Sequence, residues 1–274
     1  MNFPSNGLQK AVEMVLKAGA LASHDFREKK NARLKEDGTL VTDTDGICER
    51  EIQAIIEKEF PDHSIESEEC GLVDKKSDFS WLVDPLDGTY NFVYGIPIYG
   101  VSVALCFKDR PVLGAINFPE FGQLLTVQRG KGAFLNGDPI GVSGKRGLQD
   151  ALLICGSLLR RTTCMAGLMQ KLAATRLKLR TLGCVSFGMS LVASGKADGY
   201  IEPTIRPPDV AASCLMVEEA GGRVTDFFGR PWNIRDDGVI ASNGLNLREI
   251  LDAVSIGATC DAGKNIKKKG LKQE

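Results

Sequence analysis

The chain has 274 residues, of which 43% are hydrophobic and 25% charged, a balance that excludes disorder or a fibrous fold for its bulk. That length suits one large domain or two modest ones packed together, either with a sizeable core. Lys and Arg number 34 and Asp and Glu 35, and the formal net charge of −1 argues against a general nucleic-acid coat.

Met1 to Lys10 has no apolar core segment, so no secretory signal is expected. No run approaches the roughly 18 apolar residues of a membrane span, and the longest, near Val101–Phe107, is strand length. Residues 8–29 are expected to form a helix, because Leu8, Ala11, Val12, Val15, Leu16, Ala18, Ala22 and Phe26 recur near 3.6-residue spacing. The polar stretch from Lys29 to Gly38 reads as a loop or hairpin. A second helix spans 43–59 on the stripe Ile47, Ile52, Ile55, Ile56 and Phe60, capped by Thr42 or Asp43 and stopped at Pro61. His63–Glu69 reads as a short strand running into a loop.

Strands follow. Trp81-Leu82-Val83 is short and apolar. Segments 99–107 and 111–118 read as a hairpin turning at Lys108-Asp109-Arg110, and 124–128 and 133–135 extend the sheet. The Gly-, Ser- and Lys-rich stretch at 140–150 divides the chain into halves 1–143 and 144–274 of one compact unit. The second half alternates: strand 151–155, helix 162–175, strand 178–182, helix 185–194, strand 198–202, helix 209–220, strands 223–226 and 238–241, and helix 246–254. Such alternation suggests an α/β half. The tail at 257–274, with five lysines, reads as solvated. Eight cysteines are scattered without a CxxC pair and there are only two histidines, so zinc spacing is absent and reduced cytoplasmic thiols are expected.

The chemistry lies in the carboxylates. In Asp84-Pro85-Leu86-Asp87-Gly88-Thr89-Tyr90-Asn91-Phe92 an apolar strand meets two aspartates three apart. Pro85 fixes φ and Gly88 permits a sharp turn, which can aim both carboxylates and the Leu86 carbonyl at one spot. Hard divalent cations, Mg²⁺ above all, take such oxygen ligands. Gly88 and Thr89 offer N–H groups and a hydroxyl where a phosphate fits. Taken alone, the DxxD spacing equally fits an Asx-type turn. Glu68-Glu69 follows a strand, Asp45 opens one helix and Asp209 another. Alone, these read as an acidic loop and two capping carboxylates.

Together these segments resemble the inositol monophosphatase family, over about residues 8–254. Asp84–Phe92 matches its DPxDGTxNF signature, and Asp209–Gly222 its WDxAA…EAGG signature. The resemblance implies a layered αβαβα sandwich, of mixed α+β and α/β character, that hydrolyses a small phosphomonoester with Mg²⁺. Two or three ions are expected, Mn²⁺ is a possible substitute and Li⁺ an inhibitor. Glu68, Asp84 and the Leu86 carbonyl would hold the first ion, and Asp84, Asp87 and Asp209 the second, with a weaker third near Glu68. Asp45 and Thr89 would orient the attacking water and, with Glu68, form the catalytic set. Gly88 and Thr89 would bind phosphate; Glu202, Cys184 and Val185 would line the substrate pocket. A cytoplasmic homodimer without nucleic-acid or membrane partners is implied.

Three departures from the family pattern are Tyr90 for Thr, Pro208 for Trp, and Cys184-Val185-Ser186 for Ser-Ala-Ala. They weaken an inositol assignment. Inositol-1-phosphate is the first expectation, histidinol phosphate and fructose-1,6-bisphosphate are alternatives, and a non-enzymatic binding partner is the reading from another class.

Overall fold

In a computed structural model, residues 4–28, 31–35, 38–156 and 176–254 are described. The expected helix at 162–175 and the lysine-rich tail lie outside them. The elements run α1 (Gly7–Phe26), β1 (Ala32–Leu34), β2 (Leu40–Thr42), α2 (Asp43–Glu59), β3 (Ser64–Ser67), β4 (Gly71–Val73), β5 (Phe79–Asp87), α3 (Thr89–Val93), β6 (Gly100–Phe107), β7 (Arg110–Phe118), β8 (Gln123–Gln128), β9 (Gly132–Leu135) and β10 (Asp138–Pro139). The second half supplies β11 (Leu152–Cys155), β12 (Lys178–Thr181), α4 (Val185–Ala193), β13 (Gly199–Glu202), α5 (Pro207–Glu219), β14 (Arg223–Thr225), β15 (Val239–Ser242) and a last helix, α6, at 247–254.

Two sheets organise the molecule. Eight strands lie in the order β10-β9-β8-β7-β6-β5-β3-β4, and five in the order β12-β11-β13-β15-β14. The small sheet is parallel where β11 meets β12 and β13, and antiparallel beyond. Strand β6 is apolar but for Ser102 because both its faces are covered. Val101, Val103 and Leu105 join Met14, Val15, Ile52 and Trp81 beneath α1 and α2, while Ala104 and Cys106 join Val210, Ala211 and Leu215 of α5. A third core places Leu153, Ile201 and Ile240 of the small sheet against Ile250 of α6. The layers are therefore helix, sheet, helix, sheet, helix, the expected αβαβα sandwich. Burying one large aliphatic side chain in such a core contributes about 1.5–3 kcal/mol. The middle core mixes residues from both sides of position 143, from Leu82 to Tyr200.

Differences from expectation have local causes. Helix α1 ends at Phe26, where its apolar stripe ends. Strand β5 does not stop at Val83 but continues to Asp87, with its register against β6 shifting between Asp84 and Asp87. Pro85 has no N–H for the ladder, which suits a bulge. Strand β4 and helix α3, too short for a periodicity signal, are additions. Helix α5 starts at Pro207 rather than 209, since proline is tolerated at the first helical positions. Among the described residues no helix is long and apolar enough to cross a membrane, and Cys48, Cys70, Cys106, Cys155, Cys184 and Cys214 are free thiols.

Candidate active site

Four backbone ends converge where β3, β5, α2 and α5 meet. Glu68 leaves β3, its N–H donating to the Val83 carbonyl of β5 at 3.1 Å. Asp84 sits in the buried part of β5, and Asp209 in the first turn of α5. One oxygen each from Glu68, Asp84 and Asp209 lie within 4.8 Å of one another. Asp84 is 2% exposed.

Such crowding is costly for like charges. Burial pushes the Asp84 carboxyl well up, and the charges of Glu68, Asp87 and Asp209 add to it. Burial, then Glu68, pushes Asp209 up to about 8, against the Arg206 N–H that donates to its Oδ2 at 3.1 Å. The other oxygen, Oδ1 of Asp209, is buried without a hydrogen-bond partner. A buried unpaired carboxylate oxygen is expensive. A clustered, oxygen-only donor set with an orphaned oxygen fits a hard divalent cation.

Lysine supplies part of the missing positive charge. Lys35, beyond β1, places Nζ 3.1 Å from Glu68 Oε1 and 2.6 Å from Glu69 Oε1. Burial lowers the Lys35 ammonium, but the Glu69 bond and both carboxylate charges outweigh it, and the net shift is upward. Arg206 Nη1 lies 3.5 Å from Glu68 Oε1.

Asp45 is both a cap and a site residue. It is the third residue of α2, and its Oδ2 accepts from the Thr42 N–H at 2.8 Å and from the Thr42 hydroxyl. Its Oδ1 faces the Thr89 hydroxyl at 3.4 Å. That hydroxyl also lies 3.1 Å from the Leu86 carbonyl, and its single proton serves one acceptor at a time. Burial pushes Asp45 up to about 6, with Glu68 adding to it and the Thr42 bonds opposing. Gly88 has φ +89°, and a Cβ there would lie 2.8 Å from the Ile98 carbonyl oxygen. Only glycine turns the chain so tightly from β5 into α3.

Asp87, Cys184 and Val185 meet at the start of α4. The Asp87 oxygens are held by the start of α4: Val185 N–H donates to Oδ1 at 3.1 Å, Ser186 N–H to Oδ2 at 2.6 Å, and the Cys184 thiol to Oδ2 at 3.2 Å. Cys184 and Val185 thus hold a carboxylate, and the charge of Asp87 reaches the cluster, where it helps raise both Asp84 and Asp209. Burial raises the Asp87 carboxyl, against these bonds.

Glu202 ends β13 and is 3% exposed. Tyr200 donates its hydroxyl to Glu202 Oε2 at 3.1 Å. A Cβ on Gly156 would sit 1.3 Å from the same oxygen, so the glycine makes the space this carboxylate fills. Burial, then the charges of Glu202 and Asp87, push the Tyr200 hydroxyl well up, which ties Glu202 to the Asp87 side of the site. Sequence reasoning did not single out Lys35, Ser186 or Tyr200; Lys35 looked like one more lysine in a polar run.

The model of the inositol monophosphatase family matches residues 5–259. An inositol-1-monophosphatase of Mesorhizobium japonicum is 35% identical over 90% of this chain and 95% of its own. A histidinol-phosphatase of Chlorobaculum parvum is 34% identical over 91% of this chain and 97% of its own. The crystal structure of the extragenic suppressor protein suhB from Bartonella henselae superimposes with a TM-score of 0.87 at 32% identity, covering 91% of this chain and 98% of that one.

Proposed function

Because the chain belongs to the inositol monophosphatase family, whose members make it a phosphomonoester hydrolase, we propose that it cleaves a small polyol phosphate, inositol-1-phosphate first, with Mg²⁺. The observation that carries the metal reading is the cluster of Glu68, Asp84 and Asp209 with its orphaned Asp209 oxygen. Those residues, with the Leu86 carbonyl, would hold the metal, and Mn²⁺ shares the oxygen preference. Divalent ions there would stabilise phosphoryl charge and lower the pKa of a water.

The chain's own residues supply the rest. Thr89 can pass its hydroxyl proton to Asp45 Oδ1 while taking one from a water on its other side. Thr42 keeps Asp45 oriented for that transfer. The Gly88 turn presents backbone N–H groups toward a phosphate. Helix α4 fixes Asp87, which would join Asp84 and Asp209 in holding a second ion. Glu202, buried and anchored by Tyr200, would accept hydrogen bonds from substrate hydroxyls.

A carboxylate also pairs with an ammonium, so Glu202 suits histidinol phosphate too. The relatives named for the two substrates are equally similar to this chain, which keeps that second reading in play. The test measures kcat/KM for inositol-1-phosphate, histidinol phosphate and fructose-1,6-bisphosphate with Mg²⁺, on wild type and Glu202→Gln. A preference for histidinol phosphate of about tenfold, or 1.4 kcal/mol in the transition state, overturns the first choice. Full activity in excess chelator overturns the metal reading. A homodimer belongs to the same proposal through the family resemblance, and light scattering tests it.

A further inference from the structure

Glu49 of α2 is a carboxylate that the reaction scheme above does not use. It is 3% exposed and forms no ion pair among the described residues. Burying a carboxylate without a cation is costly unless several donors satisfy it. All the donors found come from one place, the turn between β3 and β4. Ser67 donates its hydroxyl to Glu49 Oε1. The Cys70 N–H donates to the same oxygen at 3.1 Å, and the Cys70 thiol to Oε2 at 2.7 Å. These two residues flank Glu68 and Glu69.

We propose that Glu49 is a positioning residue that sets the Glu68–Glu69 turn for metal binding. Asp45 and Glu49 are four apart on α2 and share a face. One helix face thus aims a carboxylate at Thr89 and, one turn later, splints the turn that brings Glu68 to Asp84 and Asp209. On its other side the Glu68 N–H donates to the Val83 carbonyl at 3.1 Å, and Ser67 pairs with Gly71 across the turn. Glu68 itself is 18% exposed at its side chain and is also paired with Lys35. A ligand on an exposed turn needs a brace of this kind.

The proposal rests on reading Glu68, Asp84 and Asp209 as the metal-holding set, and calorimetry with Mg²⁺ alone, without substrate, separates the two. Glu49→Gln keeps the shape but puts an amide donor where one oxygen accepts. The double variant Ser67→Ala/Cys70→Ala removes two donors without changing charge. Both are expected to weaken Mg²⁺ binding about 10–100-fold, the usual cost of losing a partner behind a ligand. Cys70→Ser keeps a donor and is expected to bind as wild type does.

If Glu49→Gln lowers the melting temperature but binds Mg²⁺ like wild type, the role is structural and the proposal is overturned. If only Glu49→Gln binds weakly and the charge-neutral double variant does not, the effect is long-range charge and positioning is overturned. Asp84→Asn is the control for the metal reading. If wild type binds no Mg²⁺, or Asp84→Asn binds it equally well, the metal reading falls and this proposal with it.

Discussion

Helices α2 and α5 begin with the same device and end in different chemistry. Each carries an aspartate as its third residue, and each aspartate accepts the N–H of the residue before the helix, from Thr42 to Asp45 and from Arg206 to Asp209. Each thereby spends one oxygen on its own helix. The remaining oxygens differ. Asp45 Oδ1 meets the Thr89 hydroxyl, whereas Asp209 Oδ1 has no hydrogen-bond partner. Burial raises both carboxyls, but the extra Thr42 hydroxyl bond limits Asp45 to about 6 while Asp209 reaches about 8. A capping aspartate is thus a ready half-ligand, and the neighbour of its second oxygen decides whether it handles a proton or a cation.

The largest expected effect breaks the cation side. Asp209→Asn should abolish tight Mg²⁺ binding in calorimetry and lower kcat by about 10³-fold, the upper cost of losing one charge-stabilising group. The Arg206 N–H can still donate to the amide oxygen left at position 209 and so cap α5, and circular dichroism should show the fold intact. Asp45→Asn breaks the proton side. It should cost about 10²–10³ in kcat, within the span of general-base contributions, with a smaller effect on the Mg²⁺ Kd. Thr89→Ala should lose roughly 10² in kcat on the same argument while retaining metal. Wild-type turnover in Thr89→Ala would remove the relay.

The pH dependence of stability sharpens the comparison further. Both carboxyls titrate near 3.8 when unfolded and higher when folded. Above the unfolded value the native state therefore binds more protons, so stability falls as pH rises. That loss should continue through about 6 for Asp45 and about 8 for Asp209. Metal-free protein should melt at least about 3 °C lower at pH 8.5 than at pH 5, and saturating Mg²⁺ should flatten the slope above pH 7. A metal-free melting temperature that rises over this range would contradict the crowding of the cluster. The smallest effect is expected from Thr42→Ala. Loss of the cap should destabilise by about 1 kcal/mol in urea titration, and the acidic limb of the pH–rate profile should move upward because Asp45 loses a donor.

Much of this architecture was legible in the chain. The stripe of Ile52, Ile55 and Ile56 gave α2 its range because 3.6-residue spacing is a local property. The αβαβα layering was legible only through the family resemblance of the motifs. The Asp84–Phe92 string placed a glycine turn after an apolar strand, since Pro85 fixes φ and Gly88 permits a left-handed turn wherever they stand. Short elements escaped, because three residues of β4 carry no period. The bonds of Cys184 and Val185 to Asp87 also escaped, because their donors come about 98 residues along the chain and only the folded structure brings them there.

The sequence by itself determined which residues carry oxygen ligands and which backbone turns can present them, because propensity, proline and glycine act within a few residues. Tertiary structure alone decided which oxygens were already taken. Asp87 is held by a helix start about 98 residues further on, Glu68 is neutralised by Lys35 from 33 residues before, and Glu49 reaches across 18 to 21 residues to the turn beside it. Carboxylates separated by such distances do not sense one another in the extended chain. Burial in one low-dielectric spot makes them a single charge problem, solved by donors and cations that no local pattern specifies.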